Sequence, residues 1–379
     1  MQMEAPGRPW QVRQTSLEID LGRLKQNYTK LLRRAGKGEL LILLKSDAYG
    51  HSHAEIAGAL ESLPAKSRLH GYGVANVEEG IELRRAGIRR PVLVMSGIQD
   101  YDAELDRCLE TCDLIPVVSS PKVLAELART LEKRSATRTV HLKFNTGMNR
   151  LGFDAHEVAP ALELLKNNPA IRVEGILSHL AVGENPKASL SRRQVKEFRA
   201  IVESFAEAGI HPRYVHLANS AGLAAKILPE GNMARVGLHI YGAGDEGLKP
   251  VARWTAQIYQ VRTIAKGELV GYGGRFRAPK AMRMAVLGVG YGDGYRRAFS
   301  NKAEVLLKGK RCPVIGSVSM DLTAIDISRV PNATVKDRAV LLGADGRDEI
   351  SAEELAAHAN TISWEILTGI SPRVPRVFI

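Results

Sequence analysis

Eight short apolar runs separated by longer amphipathic stretches occupy most of residues 40–245. The runs are 40–45, 69–75, 91–96, 114–119, 139–145, 173–179, 214–219 and 233–236. Several stretches between them have the spacing of amphipathic helices, namely 77–86, 122–132, 157–166 and 194–208. Strands that alternate with helices are joined by right-handed crossovers and form a parallel sheet. Eight such units in roughly 250 residues predict an α/β fold, a (β/α)8 TIM barrel over 12–245. A doubly wound open sheet also alternates, but it usually has fewer strands, and no glycine-rich turn follows the first run here.

The pattern changes after Gly244. Further apolar runs occur at 251–263, 282–289, 303–307, 312–315, 322–326 and 338–342. Turn residues separate them, and little helical periodicity appears before Ala352. We predict a second, mostly β domain over 246–379. Its glycine cluster Gly288-Val289-Gly290-Tyr291-Gly292-Asp293-Gly294 opens no helix, which argues against a dinucleotide-binding loop.

Charge and composition narrow the range of partners. The formal net charge is +12, but the basic residues are scattered and only 5% of residues are aromatic, so we expect no nucleic-acid partner. No apolar stretch approaches the ~20 residues that span a bilayer, and the polar N-terminus has no signal core. We therefore expect a cytoplasmic protein without a membrane partner. Cys108, Cys112 and Cys312 are interpreted as structural, and no metal site is predicted.

Polar residues collect where the predicted barrel strands end, which is where such barrels carry their active sites. Lys45 follows five aliphatic residues, and burial there would lower the pKa of its ammonium and make it a nucleophile or base. The other residues at this rim are Lys143, Asn145, Arg150, His179, Asn219, Ser220 and Arg235. Each alone is compatible with an ordinary polar residue at a strand end, such as a lysine that reaches solvent. Their shared position favours a site.

These residue types match a pyridoxal phosphate (PLP) site. A desolvated lysine supplies the covalent attachment, and Ser220 with the N–H groups near Gly237 and Leu238 would hold the phosphate. An arginine at the pyridine nitrogen stays protonated and cannot give that nitrogen a proton, so the ring would be a weaker electron sink.

Ordered motifs over nearly the whole chain resemble those of alanine racemase, the fold type III family of PLP enzymes. The barrel motifs are Lys45-Ser46-Asp47-Ala48-Tyr49-Gly50-His51, Asn145-Thr146-Gly147-Met148-Asn149-Arg150-Leu151-Gly152, His216-Leu217-Ala218-Asn219-Ser220-Ala221 and Ala234-Arg235-Val236-Gly237-Leu238. The second domain adds Gly267-Glu268-Leu269-Val270-Gly271-Tyr272-Gly273, Gly290-Tyr291-Gly292-Asp293-Gly294-Tyr295, Ser319-Met320-Asp321 and Arg373-Val374-Pro375-Arg376. The resemblance implies a homodimeric racemase that interconverts L- and D-alanine and supplies D-alanine for peptidoglycan.

The resemblance also implies roles for the principal residues. Lys45 carries the cofactor and acts as a base on one face of the substrate, while Tyr272, supplied by the partner subunit, acts on the other. Two bases are needed because the Cα carbanion is planar and protons come and go on both faces. Arg235 faces the pyridine nitrogen, and His179 links it towards Tyr272. Arg150 binds the phenolate side of PLP and the substrate carboxylate.

Further roles follow from the same resemblance. The remaining cofactor-binding residues are Tyr49, Asn219, Ser220, Gly237, Leu238 and Trp364. Met320 of the partner subunit helps to position the substrate carboxylate, and Tyr291 and Arg297 line the entrance. Lys143 matches a lysine that is carbamylated in some members, where it orients the residue equivalent to Arg150.

Three positions depart from the family pattern. Trp364, in Thr361-Ile362-Ser363-Trp364-Glu365, replaces a tyrosine whose hydroxyl lies near the phosphate and which narrows the entrance. Ser319 and Asn145 stand where cysteine and aspartate are common. Neither of these two changes removes a proposed catalytic group.

Other functions stay open at this stage. Trp364 motivates a racemase of different or broader specificity, for example for serine. A non-catalytic PLP carrier would lack the second domain, and a PLP decarboxylase of this fold would present a cysteine and an aspartate there. A metal-dependent barrel hydrolase is disfavoured because His179 and His216 have no clustered carboxylates around them.

Overall fold

The computed structural model describes residues 15–64, 67–96, 98–227 and 231–379. The N-terminal stretch on which the export prediction rests lies, apart from Thr15, outside these residues. The described chain forms two compact units. One is Lys25–Ile240, and the other combines residues 15–24 with Tyr241–Ile379. Within the described residues, no helix has both the length and the apolar character needed to cross a membrane.

The first unit is a parallel barrel. Strands are numbered along the chain, and β1 (Thr15–Ile19) belongs to the second unit. The barrel strands are β2 (Glu39–Leu43), β3 (Leu69–Val74), β4 (Val92–Val94), β5 (Leu114–Val118), β6 (Arg138–Lys143), β7 (Ile171–Leu177), β8 (Tyr214–His216) and β9 (Met233–Val236). They are hydrogen-bonded in the order β8-β7-β6-β5-β4-β3-β2-β9. Backbone bonds from Arg235 N–H to Ala218 (3.0 Å) and from Asn232 N–H to Val215 (3.1 Å) nearly close the ring. The predicted TIM barrel is confirmed.

Helices connect these strands because polar side chains cap them and apolar stripes bury one face. Their bounds are Leu21–Arg34, His53–Glu61, Val77–Arg85, Ala103–Thr111, Pro121–Arg134, Val158–Asn167, Ser189–Glu207 and Ser220–Ala224. Asn76, Asp102 and Ser120 each accept a backbone N–H from the first turn of the helix that follows. Inside the barrel, the strands contribute a packed layer made of Leu41, Leu93, Val117, Leu177, Tyr214 and Met233. Alternate residues of a strand face the same side. The side chain two positions after each residue of this layer therefore also faces the barrel interior, closer to the rim at the carboxyl ends of the strands.

The second unit is mostly β, as predicted. Its remaining strands are β10 (Ala252–Ile264), β11 (Leu269–Val270), β12 (Phe276–Arg277), β13 (Met282–Leu287), β14 (Glu304–Leu307), β15 (Lys310–Pro313), β16 (Thr323–Asp326), β17 (Arg338–Asp345), β18 (Asp348–Ile350) and β19 (Arg376–Phe378). Helices Ala352–Ala359 and Ser363–Thr368 follow β18. Residues 15–19 fall in the interval predicted as barrel, yet β1 pairs antiparallel with β10 and parallel with β19. β1 pairs with an edge of the long strand β10, and no short apolar run in the sequence predicts this pairing.

Candidate active site

Lys45 lies just beyond β2, at the start of an unusual turn. The predicted strand end at Lys45 is wrong by two residues, because β2 ends at Leu43. Residues 46–49 then have φ of 52–57° and ψ of 37–51°, which is one turn of left-handed helix. None of the four is glycine, and this conformation costs about 1–2 kcal/mol per residue. Contacts around the turn must therefore hold it.

Two carboxylates provide such contacts. Glu79 accepts the Ser46 N–H with one oxygen and the Ala75 N–H with the other, each at 2.7 Å. Asp47 accepts the backbone N–H of His53 at 2.8 Å. The turn thereby fixes the start of the lysine side chain. Burial lowers the pKa of Lys45, and the nearby Arg150 guanidinium lowers it further, whereas Glu79 opposes the shift.

A cationic cavity of about 250 Å³ opens beside Lys45. It is lined by Leu43, Lys45, Met95, Ser96, Lys143, Arg150, Leu151, His179 and Arg235. Among these lining residues, four carry cationic groups and none carries a carboxylate. Burial, together with the charges of Arg150, Arg235 and Lys45, lowers the pKa of Lys143 to about 8. Like charges this close repel one another, so the cavity favours an anionic occupant.

Arg235 is the most deeply buried of these cations, with only 1% of its surface exposed. Its guanidinium donates to the carbonyls of His216 (2.6 Å), Ser178 (2.6 Å) and Leu217 (3.0 Å). Among the described residues, no carboxylate forms an ion pair with it, although burying an unpaired cation costs several kcal/mol. Burial lowers its pKa to about 9, which leaves it charged at neutral pH. Such a costly group is a functional candidate.

His179 is held neutral next to Arg235. Its Nδ1 lies 3.4 Å from Nη2 of Arg235, and its Nε2 lies 3.5 Å from the amide nitrogen of Asn219. Burial, followed by the charges of Arg235 and Arg150, lowers the pKa of His179 to about 2. The Arg235 guanidinium and the Asn219 amide nitrogen both only donate hydrogen bonds, and a neutral imidazole has a single acceptor nitrogen, so His179 accepts from one of them at a time.

The predicted phosphate-binding residues come together at the neighbouring strand ends. Ser220 Oγ accepts the Gly237 N–H at 2.9 Å. A Cβ on Gly237 would lie 2.3 Å from the hydroxyl of Tyr49, a side chain only 4% exposed, so only glycine fits there. Leu238 opens the short helix Leu238–Tyr241. Asn219 caps helix Ser220–Ala224 by accepting the Gly222 N–H at 2.9 Å.

The asparagine that departs from the family pattern has a complete set of hydrogen bonds. Asn145 accepts the N–H groups of Gly147 (3.1 Å) and Asn149 (2.9 Å), which shapes the turn before Arg150. Its amide nitrogen donates to Asp154 at 2.8 Å. An aspartate could not make this last bond, and two carboxylates would repel each other there. Asparagine therefore suits this chain because Asp154 stands opposite.

The residues predicted to serve a second subunit lie on connected, exposed loops of the second unit. Tyr272 sits in the turn between β11 and β12 and is 73% exposed. Its carbonyl accepts the hydroxyl of Ser317, and the loop after Ser317 carries the exposed Met320. The Met320 carbonyl accepts the Gly292 N–H at 2.9 Å, next to the exposed Tyr291. Tyr272, Met320 and Tyr291 thus share one surface.

Arg297 and Trp364 occupy other exposed positions of this unit. Arg297 begins the short helix Arg297–Phe299, and Trp364 lies in helix Ser363–Thr368 with 46% of its surface exposed. The nearby backbone is tied down because Arg296 donates to the Glu365 carbonyl at 2.9 Å.

Sequence reasoning overlooked two kinds of residue. Glu79 was missed. Asn76 and Glu79 have the spacing of a helix N-cap residue and the third residue of that helix, and this pattern predicts a carboxylate near the end of the preceding strand. His141 was also missed. It lies two residues before Lys143 on β6 and therefore faces the barrel interior, a pattern that the strand period could have revealed.

The fold and this site define the class of protein: a TIM-barrel enzyme with a cationic cavity at the carboxyl ends of the strands, next to a partly buried lysine. The family model for the alanine racemase N-terminal domain matches residues 19–245, and the model for the C-terminal domain matches residues 251–378. The chain belongs to the alanine racemase family, whose members are isomerases.

Individual relatives are similar over nearly their full length. The alanine racemase of Geobacter sulfurreducens is 37% identical, with 97% of each chain covered. That of Sorangium cellulosum is also 37% identical, over 97% of this chain and 99% of the relative. The crystal structure of alanine racemase from Streptomyces lavendulae superposes with a TM-score of 0.89 at 29% identity, covering 97% of both chains. A structure from Bartonella henselae, with covalently bound pyridoxal phosphate, has a TM-score of 0.85 at 26% identity and covers 97% of this chain and 99% of that one.

Proposed function

We propose that this chain is a PLP-dependent racemase that interconverts L- and D-alanine as a cytoplasmic homodimer and supplies D-alanine for peptidoglycan. The observation that carries the proposal is the cationic cavity at the barrel rim, with the partly buried Lys45 at its edge. Lysine in such a place can attach an aldehyde cofactor, and the surrounding cations complement a phosphorylated, anionic one.

The residues present fit pyridoxal phosphate. Ser220 Oγ and the N–H groups of Gly237 and Leu238 would bind the phosphate, and the absence of a Cβ at Gly237 leaves room for Tyr49 beside it. Arg235 would face the pyridine nitrogen and Arg150 the phenolate side. Both are guanidinium groups, which only donate hydrogen bonds. When bound, the cofactor delocalises the negative charge that proton removal leaves on Cα.

Two groups of this protein would move protons at Cα. Lys45, with its pKa lowered by burial, can be a neutral amine that takes a proton from one face. Tyr272 of the partner subunit would give or take a proton on the opposite face. The 73% exposure of Tyr272 in one protomer supports this role, because a phenol that serves a neighbour's site must project from its own chain. His179, neutral and adjacent to Arg235, would connect Arg235 to that phenol.

The substrate carboxylate would be bound by Arg150 and by the backbone near Met320 of the partner subunit. Lys143 is suited to carbamylation because a pKa of about 8 leaves a useful fraction of neutral amine to react with carbon dioxide. Conversion of this cation into an anion would relieve its repulsion with Arg150 and orient that guanidinium. Tyr291 and Arg297 would line the entrance.

The test is D-alanine formation from L-alanine by purified protein supplied with PLP. Lys45→Ala is expected to lose both racemisation and the visible absorbance of bound cofactor. Tyr272→Phe is expected to keep that absorbance and lose most turnover. Normal racemisation by Tyr272→Phe would refute the two-base assignment, and no D-alanine from the unaltered protein would refute the function.

A mixed dimer tests whether Tyr272 acts across the interface. A dimer with Lys45→Ala on one chain and Tyr272→Phe on the other carries both lesions in one site and none in its other site, provided that Tyr272 serves the neighbouring chain. Co-expressed variants with different affinity tags should therefore recover racemase activity that neither homodimer has. If Tyr272 served its own chain, every site would carry one lesion and the mixed dimer would stay inactive.

A racemase of broader specificity is the second candidate, and Trp364 favours it. Indole is larger than the phenol ring that it replaces and can donate but not accept a hydrogen bond. Turnover of alanine, serine and lysine enantiomers, compared side by side, decides between the two functions.

A further inference from the structure

A line of polar side chains continues from Arg235 through the barrel interior. Nη1 of Arg235 lies 3.2 Å from Nδ1 of His216, and Nε2 of His216 lies 2.9 Å from Nδ1 of His141. Nε2 of His141 lies 3.6 Å from a carboxylate oxygen of Glu174. Both imidazoles are completely buried, whereas the Glu174 side chain is 27% exposed. We call these four residues the Arg235–Glu174 relay.

The chemistry of its two ends determines the direction of every bond in the relay. A guanidinium has only donors, so Nδ1 of His216 must be an acceptor and its single proton must lie on Nε2. That N–H then donates to Nδ1 of His141, whose own proton must lie on Nε2. This last N–H is buried and makes no hydrogen bond within the described chain, since the Glu174 carboxylate oxygen, 3.6 Å from Nε2, lies beyond hydrogen-bond distance. A carboxylate, which only accepts, is therefore the complement that the far end requires.

The sequence builds this arrangement with two local devices. Val140 pairs with Val173 and His141 pairs with Gly175, so Glu174 is an extra residue in β7. Such a bulge redirects the side chain of the extra residue. Gly175 makes room for the imidazole, because a Cβ there would lie 2.2 Å from Nδ1 of His141. Both features place the Glu174 carboxylate near the His141 imidazole.

The surroundings keep the two imidazoles neutral. Burial lowers the pKa of His216 well below its usual range, and the charge of Arg235 adds to the shift. Burial also lowers the pKa of His141, against the opposing effect of Glu174. The Tyr214 ring lies nearly parallel to His141, with centroids 6.2 Å apart. Two neutral imidazoles between a fixed cation and a carboxylate can have only one arrangement of their N–H protons.

We propose that His141 and Glu174 are positioning residues for racemisation, which act through His216 to fix the guanidinium of Arg235. This inference rests on the proposed function, in which Arg235 faces the ring nitrogen of PLP. Because Arg235 has no carboxylate of its own among the described residues, its orientation depends on carbonyls and on these imidazoles. Glu174 supplies a carboxylate acceptor at the other end of the relay.

The proton positions can be measured without any variant and without turnover. Nitrogen-15 NMR of histidine-labelled holoenzyme distinguishes the two neutral tautomers and the imidazolium. We expect His141 and His216 both to carry a single proton on Nε2 at neutral pH. A proton on Nδ1 of His216, or a doubly protonated ring at either position, would overturn the proposal. Because this spectrum does not depend on catalysis, an inactive protein would contradict the proposed function without deciding the relay.

Variants then connect the relay to catalysis. Glu174→Leu removes the carboxylate and leaves the buried His141 N–H without a nearby acceptor, so we expect the nitrogen-15 shift of His141 Nε2 to change and kcat to fall on the order of 10-fold with little change in KM for alanine, as for other outer-shell partners of functional side chains. Glu174→Gln keeps an acceptor oxygen and should restore both this shift and most of kcat. Glu163→Leu, on the exposed face of helix Val158–Asn167, is the matched control and should change neither. A folded Glu174→Leu variant with an unaltered shift and unaltered kcat would also overturn the proposal. If that variant does not fold, the spectrum of the unaltered protein decides.

Discussion

Replacement of Lys143 by methionine should stabilise the protein at neutral pH. Lys143 is 8% exposed and lies in a cavity with Lys45, Arg150 and Arg235. Burial and these charges lower its pKa from 10.5 to about 8. A shift of this size corresponds to about 3 kcal/mol that the folded state loses by keeping the ammonium charged. Methionine has a similar length and no charge, so Lys143→Met should recover much of that free energy.

The stability gained by Lys143→Met should decrease as the pH rises. Below pH 8 the lysine is protonated in both the folded and the unfolded protein, and the whole penalty is present. Between pH 8 and 10.5 the folded state has released its proton while the unfolded state still binds one, so the stability of the unaltered protein rises with pH. The gain from Lys143→Met should therefore fall from about 3 kcal/mol at pH 7 to roughly 1.5 kcal/mol at pH 9.5.

Urea unfolding in carbon dioxide-free buffer without added ligand measures these differences. Lys196→Met, at an exposed position of helix Ser189–Glu207, is the control and should change stability by less than about 0.5 kcal/mol at both pH values. Added bicarbonate should stabilise the unaltered protein and not the Lys143→Met variant, because only the former can form a carbamate there. A Lys143→Met variant that is less stable at pH 7, or equally stabilised at both pH values, would refute this electrostatic reasoning.

Three further predictions concern the rim and the entrance. Gly237→Ala places a methyl group against the buried Tyr49 hydroxyl, so it should lower the free energy of unfolding, measured with urea, by about 1–3 kcal/mol. It should also weaken PLP binding, measured by fluorescence titration. Normal affinity for PLP would contradict the phosphate assignment. Glu79→Gln replaces one of two acceptor oxygens with a donor that faces a backbone N–H, so it should lower the free energy of unfolding by about 1–3 kcal/mol. It should also reduce the fraction of Lys45 that attaches cofactor, as measured by visible absorbance. Glu78→Gln, one position earlier in the same helix, is the control. Trp364→Tyr should change kcat/KM for serine more than for alanine, and equal effects on both substrates would remove Trp364 from substrate selection.

The parts of the fold that could be predicted are those with a local signal. All eight barrel strands were located from apolar runs, because strands buried on both faces are nearly continuous in hydrophobic residues. The left-handed turn at 46–49 could not be predicted, because Ser46, Asp47, Ala48 and Tyr49 have no intrinsic preference for it and depend on Glu79, which is distant in sequence. Non-local contacts of this kind leave no periodic pattern.

Some residues of the candidate site could likewise be predicted from the sequence, and others could not. Lys45, Lys143, His179 and Arg235 line one cavity, and this could be predicted because the carboxyl ends of parallel strands meet at one rim. The choice of Tyr272 came from the family resemblance, since nothing local distinguishes it from the other tyrosines. The contact between His141 and Glu174 depends on a register shift between β6 and β7, and register is decided by pairing rather than by either strand alone.

The pairing of β1 has a consequence for synthesis on the ribosome. Thr15–Ile19 pairs with β10, whose matching residues begin at Ala252, about 230 residues further along the chain. At translation rates of about 5–20 residues per second, β1 waits on the order of 10–50 s for that partner. All barrel strands, through Met233–Val236, have been made during this interval. Thr15–Ile19 therefore lacks its β10 partner while the barrel strands are made, and an unpaired strand presents N–H and C=O groups that other chains can pair with.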